Sequence, residues 1–180
     1  MKKNIAFIIG HNEKSKGFFS PHLKKTEFDF YSDMVQDLEQ IGTVFFHDPK
    51  ISSYTNRCKD IAKRIGSGFD LIISLHFNAF NGTANGVECF YWHTNKRGFE
   101  AAKTFVDNYS KLTGTRPRGA KAYQKNKNGK LPRGAGEVFY TKGTAVLLEP
   151  FFGDNAADCE KFKIDSFLYS INKMICSLDN

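Results

Sequence analysis

Ile5-Ala6-Phe7-Ile8-Ile9-Gly10-His11 is a run of five apolar residues that stops at a glycine and a histidine. Its length fits one strand, and unbroken apolarity, rather than alternation, is what a strand covered on both faces requires. The sequence then supplies the covering helices. Over residues 27–41, Phe28, Phe30, Tyr31, Met34, Val35, Leu38 and Ile41 fall on one arc at about 100° per residue, and Gly42 ends the pattern. Residues 43–47 read as a second strand. A helix opens at Ser52 or Ser53, carries Tyr54, Cys58, Ile61 and Ile65 on its buried stripe, and closes at Gly66 and Gly68.

Residues 69–75 form a third predicted strand and residues 86–92 a fourth, after an Asn-Gly-rich turn over 81–85. A helix over about 98–112, a strand over 144–148 and a final helix over about 155–178 complete the pattern. Residues 113–136 hold glycines, prolines and many basic residues but no period, and read as a long basic loop. Strands alternating with helices predict an α/β fold: one domain over residues 1–180, with an open, twisted, mostly parallel sheet and helices on both faces.

At 180 residues, 41% apolar and 14% aromatic, the chain has ample material for a core, and general disorder is excluded. Lysine and arginine exceed acidic residues by seven, which points to an anionic partner: nucleic acid, a membrane surface or an acidic wall polymer. Cys58, Cys89, Cys159 and Cys176 show no CxxC spacing and read as free, mostly buried thiols, in keeping with a reducing cytoplasm. The basic start, Met1 to Asn4, precedes an apolar run too short for a signal peptide. No stretch approaches the roughly 20 apolar residues of a membrane span.

Three apolar strands end at groups that bind or activate ligands: Gly10-His11, Leu75-His76 and Leu148-Glu149. The carboxyl ends of strands are where open α/β sheets place their ligands. Glu27 lies within about 10° of the centre of the apolar arc of residues 27–41, and an inward carboxylate is costly unless paired or metal-bound. Two imidazoles and a carboxylate suit catalytic zinc, with a fourth position for water. The competing reading has each histidine as an ordinary polar strand end and Glu27 paired with Lys24 or Lys25. Ser74 lacks the GxSxG setting of a serine nucleophile, and Walker A and Rossmann glycine patterns are absent.

Over nearly its full length the chain resembles the zinc-dependent N-acetylmuramoyl-L-alanine amidases of the autolysin and phage-endolysin type. The matching stretches are Ile8 to His11, Thr26-Glu27-Phe28, the spacing from Arg57 to Ala62, Ser74 to Ala79, Gly86-Val87-Glu88, and Leu147 to Asn155. The resemblance implies that His11, Glu27 and His76 ligate one zinc ion and that Glu149 is the catalytic carboxylate, with Asn78 orienting substrate or shaping the turn. It implies hydrolysis of the amide between the muramic acid lactyl group and L-alanine in peptidoglycan. The lack of an export signal fits an enzyme that reaches the wall after release from the cytoplasm by lysis or a pore-forming partner. The stretch from Asn12 to Gly17 departs from the family's glycine-rich loop and makes Glu13 a rival carboxylate beside the metal.

Between Asn108 and Gly136 there is no acidic residue, whereas Lys111, Arg116, Arg118, Lys121, Lys125, Lys127, Lys130 and Arg133 are all basic. These charges fit either a solvated, mobile loop or a contact for stem-peptide carboxylates and wall polymers. Two rival functions use the same charge: a nucleic-acid-binding domain stacking bases on Tyr123 and Phe139, and a wall-binding module without activity. The amidase reading expects no nucleic-acid partner. His22, His47 and His93 read as surface or strand residues without partners.

Overall fold

A computed structural model describes residues 3–179; Met1 and Lys2 of the basic start, and Asn180, lie outside it. Along the chain the elements are β1 (Ile5–Ile9), β2 (Phe19–Ser20), β3 (Lys25–Thr26), α1 (Glu27–Ser32), α2 (Val35–Glu39), β4 (Thr43–Phe46) and α3 (Tyr54–Ile65). They continue with β5 (Leu71–Leu75), β6 (Val87–Trp92), α4 (Lys96–Thr113), β7 (Pro117–Tyr123), α5 (Gly136–Tyr140), β8 (Ala145–Glu149), α6 (Ala156–Lys161) and α7 (Ile164–Cys176). Six strands form one sheet in the order β4-β1-β5-β8-β6-β7, and β2 and β3 make a small separate hairpin.

β4, β1, β5 and β8 run parallel, so Ile9, Leu75 and Leu148 end at one edge of the sheet. The link from β5 to β6 contains no helix, so β6 turns straight back and lies antiparallel to β8. The reversal brings the start of β6 to the same edge, with Glu88 in register beside Glu149. The α4 crossover then restores a parallel pairing between β6 and β7.

Alternate strand residues serve two cores. Ile5, Phe7, Ile9, Leu71, Ile73, Leu75, Val146 and Leu148 pack under α1, α2, α4 and α7, where Phe105, Tyr109, Phe162 and Phe167 form an aromatic cluster. Ala6, Ile8, Ile72, Ala145 and Leu147 pack under α3 and α5. The expected α/β sheet with helices on both faces is the observed architecture. No described helix is long and apolar enough to cross a membrane.

Four local expectations change. The helix over 27–41 is two short helices, because the chain turns at Asp33-Met34 after the weak helix formers Ser32 and Asp33; the buried arc of Phe30, Tyr31, Met34 and Leu38 survives. The final helix breaks where Phe162 adopts extended backbone and inserts its ring among Phe30, Phe151 and Phe167. The basic stretch 113–136 is not all loop: Pro117–Tyr123 is an edge strand whose proline and charges protect an open sheet edge. The five-residue helix α5 follows, too short to leave a helical period. Cys58, Cys89 and Cys159 are buried free thiols, and Cys176 is exposed.

Phe167 is fully buried between the α4 aromatics and Phe162. Phe167→Ala is expected to cost about 3–5 kcal/mol of unfolding free energy in urea denaturation. A loss below about 1 kcal/mol would contradict this packing.

Candidate metal centre and active site

His11 follows β1 directly, and its backbone lies in the left-handed region at φ 69°, a conformation that costs a non-glycine residue about 1–3 kcal/mol. His76 follows β5 directly, and a Cβ at Gly10 would overlap both its ring and the Leu75 carbonyl, so only glycine admits this approach. Glu27 is the first residue of α1, which Thr26 caps by accepting the Asp29 N–H. The Tyr31 hydroxyl donates to the His76 carbonyl at 2.7 Å and ties α1 to the end of β5.

These anchors bring the three predicted ligands together. His11 Nε2 lies 3.3 Å from Glu27 Oε1, and His76 Nδ1 lies 3.2 Å from Glu27 Oε2. One donor atom from each residue falls within 4.8 Å of the others. Each nitrogen approaches a different oxygen of Glu27, the three donors are near enough to share one ion, and the N/N/O donor set suits zinc. Glu27 also accepts the Phe18 and Phe77 backbone N–H groups, at 3.0 and 3.3 Å. A Cβ at Gly17 would meet His11 Nε2 at 2.7 Å and Glu27 Oε1 at 2.8 Å, so the loop passes tightly over the cluster.

Lys24 and Lys25 do not hold Glu27: Lys25 pairs with Asp33, and the ion-pair partners of Glu27 among the described residues are His11 and His76. Burial opposes the charge on Glu27, but hydrogen bonds and attraction to the two imidazoles outweigh it and hold the carboxyl down at about 2. Glu13 is exposed and stands outside the cluster. Its loop is organised by buried Asn12, whose Oδ1 accepts the Lys14 and Ser15 N–H groups.

Glu149 ends β8 and lines the same cavity, about 850 Å³, as His11, Glu27, His76 and Asn78. Burial raises its pKa to about 8; His76 lowers it, and the neighbouring Glu88 adds to the rise. A carboxyl group poised near neutrality in a cavity can both accept and deliver a proton. Asn78 donates to Glu88 Oε1 at 2.6 Å, while its main chain bonds to Phe151 and Gly153, so it shapes the turn as well as lining the cavity. Glu88 also takes Arg118 Nε at 2.6 Å and the Lys121 ammonium, so part of the basic stretch is ion-paired into the site wall.

Three lining or supporting groups had no role in the sequence reading. Glu137 of α5 is 2% exposed and accepts from His76 Nε2 at 2.9 Å, from His47 Nε2 at 2.7 Å and from the Ser74 hydroxyl. His47 is accordingly a buried, partnered residue, not a surface one; His22 and His93 are exposed. Arg57 is 7% exposed, lines the cavity, and leaves its Nε without a partner. The only sequence signal for Glu137 is that it is the first acidic residue after the uniformly basic stretch.

A sequence profile of N-acetylmuramoyl-L-alanine amidase matches residues 5–177. The chain belongs to the N-acetylmuramoyl-L-alanine amidase family. Solved amidases share its fold. The CwlD amidase of Clostridioides difficile, solved with the GerS lipoprotein, is 18% identical, with 98% of each chain covered and a TM-score of 0.73. The CwlV catalytic domain of Bacillus (Paenibacillus) polymyxa var. colistinus is 20% identical over 96% of each chain, with a TM-score of 0.71. The catalytic domain of an endolysin targeting Clostridia difficile is 22% identical over 98% of this chain and 96% of its own, with a TM-score of 0.70. No curated protein matches the chain. Family membership supports a peptidoglycan amidase activity, and the donor geometry gives the family's usual metal a fitting place.

The pKa of Glu149 in the fold, about 8, exceeds its ordinary value of 4.5, so the fold favours the protonated carboxyl. That contribution is complete below about pH 4.5 and is lost as pH rises through about 8. Glu149→Gln is expected to stabilise the metal-free protein by roughly 2–4 kcal/mol at pH 8 and hardly at all at pH 4.5. Urea midpoints at the two pH values check this, and equal effects at both would contradict the buried, proton-holding state.

Proposed function

We propose that this chain hydrolyses the amide bond between N-acetylmuramic acid and L-alanine in peptidoglycan as a zinc-dependent amidase, in the manner of an endolysin or autolysin. The observation that carries the reading is the cluster of His11, Glu27 and His76 in the same cavity as Glu149. In this reading the three clustered residues hold one zinc ion. Zinc, when bound, supplies Lewis acidity that polarises an amide carbonyl and eases the deprotonation of water.

The protein's own residues do the rest. Glu149 takes the proton of the attacking water on a carboxylate oxygen and returns it to the departing amine nitrogen of L-alanine. Glu149 must be ionised to accept that proton and protonated to give it up, so one carboxyl group serves both halves of the transfer. Asn78, in the cavity wall, offers polar atoms for orienting the peptide. Arg57, a buried guanidinium with an orphaned Nε, would take a carboxylate of the stem peptide.

The nucleic-acid reading loses a stacking residue, because Tyr123 is buried with its ring on Phe90, centroids 4.5 Å apart. The reading as an inactive wall-binding module remains an outcome of the test. Purified muropeptides are digested and their masses determined: release of free stem peptide with an intact glycan identifies amide cleavage. Chelation is expected to abolish release and added zinc to restore it. His76→Ala should lose both zinc and activity, whereas Glu149→Gln should keep zinc and lose activity by at least about 100-fold. Wall binding without release, or release unaffected by chelator, would overturn the proposal.

Arg57→Met is expected to raise KM about tenfold or more for stems with free carboxylates while changing kcat less. Steady-state kinetics on stems with free and amidated carboxylates check it. Equal KM changes on both substrates would remove the carboxylate role.

A further inference from the structure

Each ring nitrogen of His76 faces a different carboxylate. Nδ1 points to Glu27 in the metal cluster, and Nε2 points away from it to Glu137 Oε2 at 2.9 Å. A neutral imidazole carries one proton, and the nitrogen without it is the one that can ligate a cation. In a zinc-loaded centre the ring would be neutral, and an acceptor fixed at Nε2 would hold its one proton there and leave the Nδ1 lone pair for the metal.

Glu137 is itself held by two further donors. The Ser74 hydroxyl, two residues back on the same strand, donates to the Oε2 that His76 uses. His47, just past the end of β4, bonds the other oxygen, Oε1, at 2.7 Å. α5 is docked on α3 at close range: the Gly136 N–H donates to the Tyr54 hydroxyl at 3.2 Å, and a Cβ at Gly136 would stand 2.8 Å from Cys58 Sγ. Neither lysine nor arginine pairs with Glu137 among the described residues, and its charged partners are the two histidines. A carboxylate with three donors converging on it, one of them a candidate ligand, matches the outer-shell carboxylate that orients a metal-bound histidine.

We propose that Glu137 is a positioning residue for the metal centre: it fixes the ring and tautomer of His76 so that Nδ1 is the ligating nitrogen, and Ser74 and His47 lock Glu137 in place. The proposal rests on the zinc-centre reading above and adds to it a residue that touches neither substrate nor metal.

Zinc affinity by competition with a chromophoric chelator tests it in wild type, Glu137→Gln and Glu137→Ala, on folded, metal-stripped protein. Glu137→Gln is expected to bind zinc about 10-fold more weakly and Glu137→Ala up to about 100-fold. The near-isosteric glutamine variant keeps the test available if the alanine variant does not fold. Long-range ¹H–¹⁵N correlation spectra of the zinc-loaded wild type should show His76 protonated at Nε2, with that signature lost or mixed in Glu137→Gln. The urea midpoint of each metal-free protein is measured alongside, because a purely structural role would lower the midpoint and leave affinity and tautomer unchanged. Variants that bind zinc within threefold of wild type, or His76 protonated at Nδ1 in the loaded protein, would overturn the proposal while leaving the zinc centre intact. A wild type that binds no zinc would instead remove the metal reading itself, and this proposal with it.

Discussion

Glu27 is a carboxylate buried at the start of a helix, with two imidazoles as its ion-pair partners and two backbone N–H groups as its hydrogen-bond donors. Burying such a charge costs several kcal/mol unless partners converge on it. Much of the surrounding chain is arranged to supply them. The left-handed backbone of His11, the bare Cα of Gly10, the tight passage of Gly17 and the Tyr31 bond to the His76 carbonyl all serve one juxtaposition. A fold that accepts strain and a desolvated acid at the same point is storing free energy that a bound cation can recover.

The sheet topology sets up a second, opposite environment a short distance away. Because β6 reverses direction, Glu88 arrives next to Glu149 at the edge where three parallel strands end. Arg118, Lys121 and Asn78 hold Glu88 ionised, while burial and the Glu88 charge push Glu149 towards its neutral form. One cavity thus contains a carboxylate held at about 2 and another raised to about 8. In the proposed function these environments, rather than residue type, divide the roles: the first stays anionic for a cation, and the second exchanges a proton.

The long apolar strands and the residues at their ends were legible in the sequence because a strand buried on both faces leaves an unbroken hydrophobic run. His11, His76 and Glu149 could be found simply as the next or last residue of such a run. Glu27 was legible from helical phase, although its helix proved to be six residues long and the phase outlived the helix. β7 was not legible, because an edge strand is selected for solubility, and Pro117, Arg118 and Lys121 erase the alternation that marks a half-buried strand. Glu137 was less legible still. Its meaning depends on α5 docking against α3 and bringing it over Ser74, a contact across more than sixty residues that no local pattern encodes.

Several buried polar residues without a role in the sequence reading, among them His47, Arg57 and Glu137, are on the α3 and α5 side of the sheet. There, every second strand position belongs to the smaller core, and Ser74 and Glu88 interrupt what would otherwise be continuous apolar packing. A polar side chain in such a layer is tolerated only when another element brings its complement, as α5 brings Glu137 to Ser74 and His76, and β7 brings Arg118 to Glu88. Two of the elements missed in the sequence, β7 and α5, complete the polar network behind the cavity. Their sequences are irregular because they are fitted to that network, and carry no periodic hydrophobic face of their own.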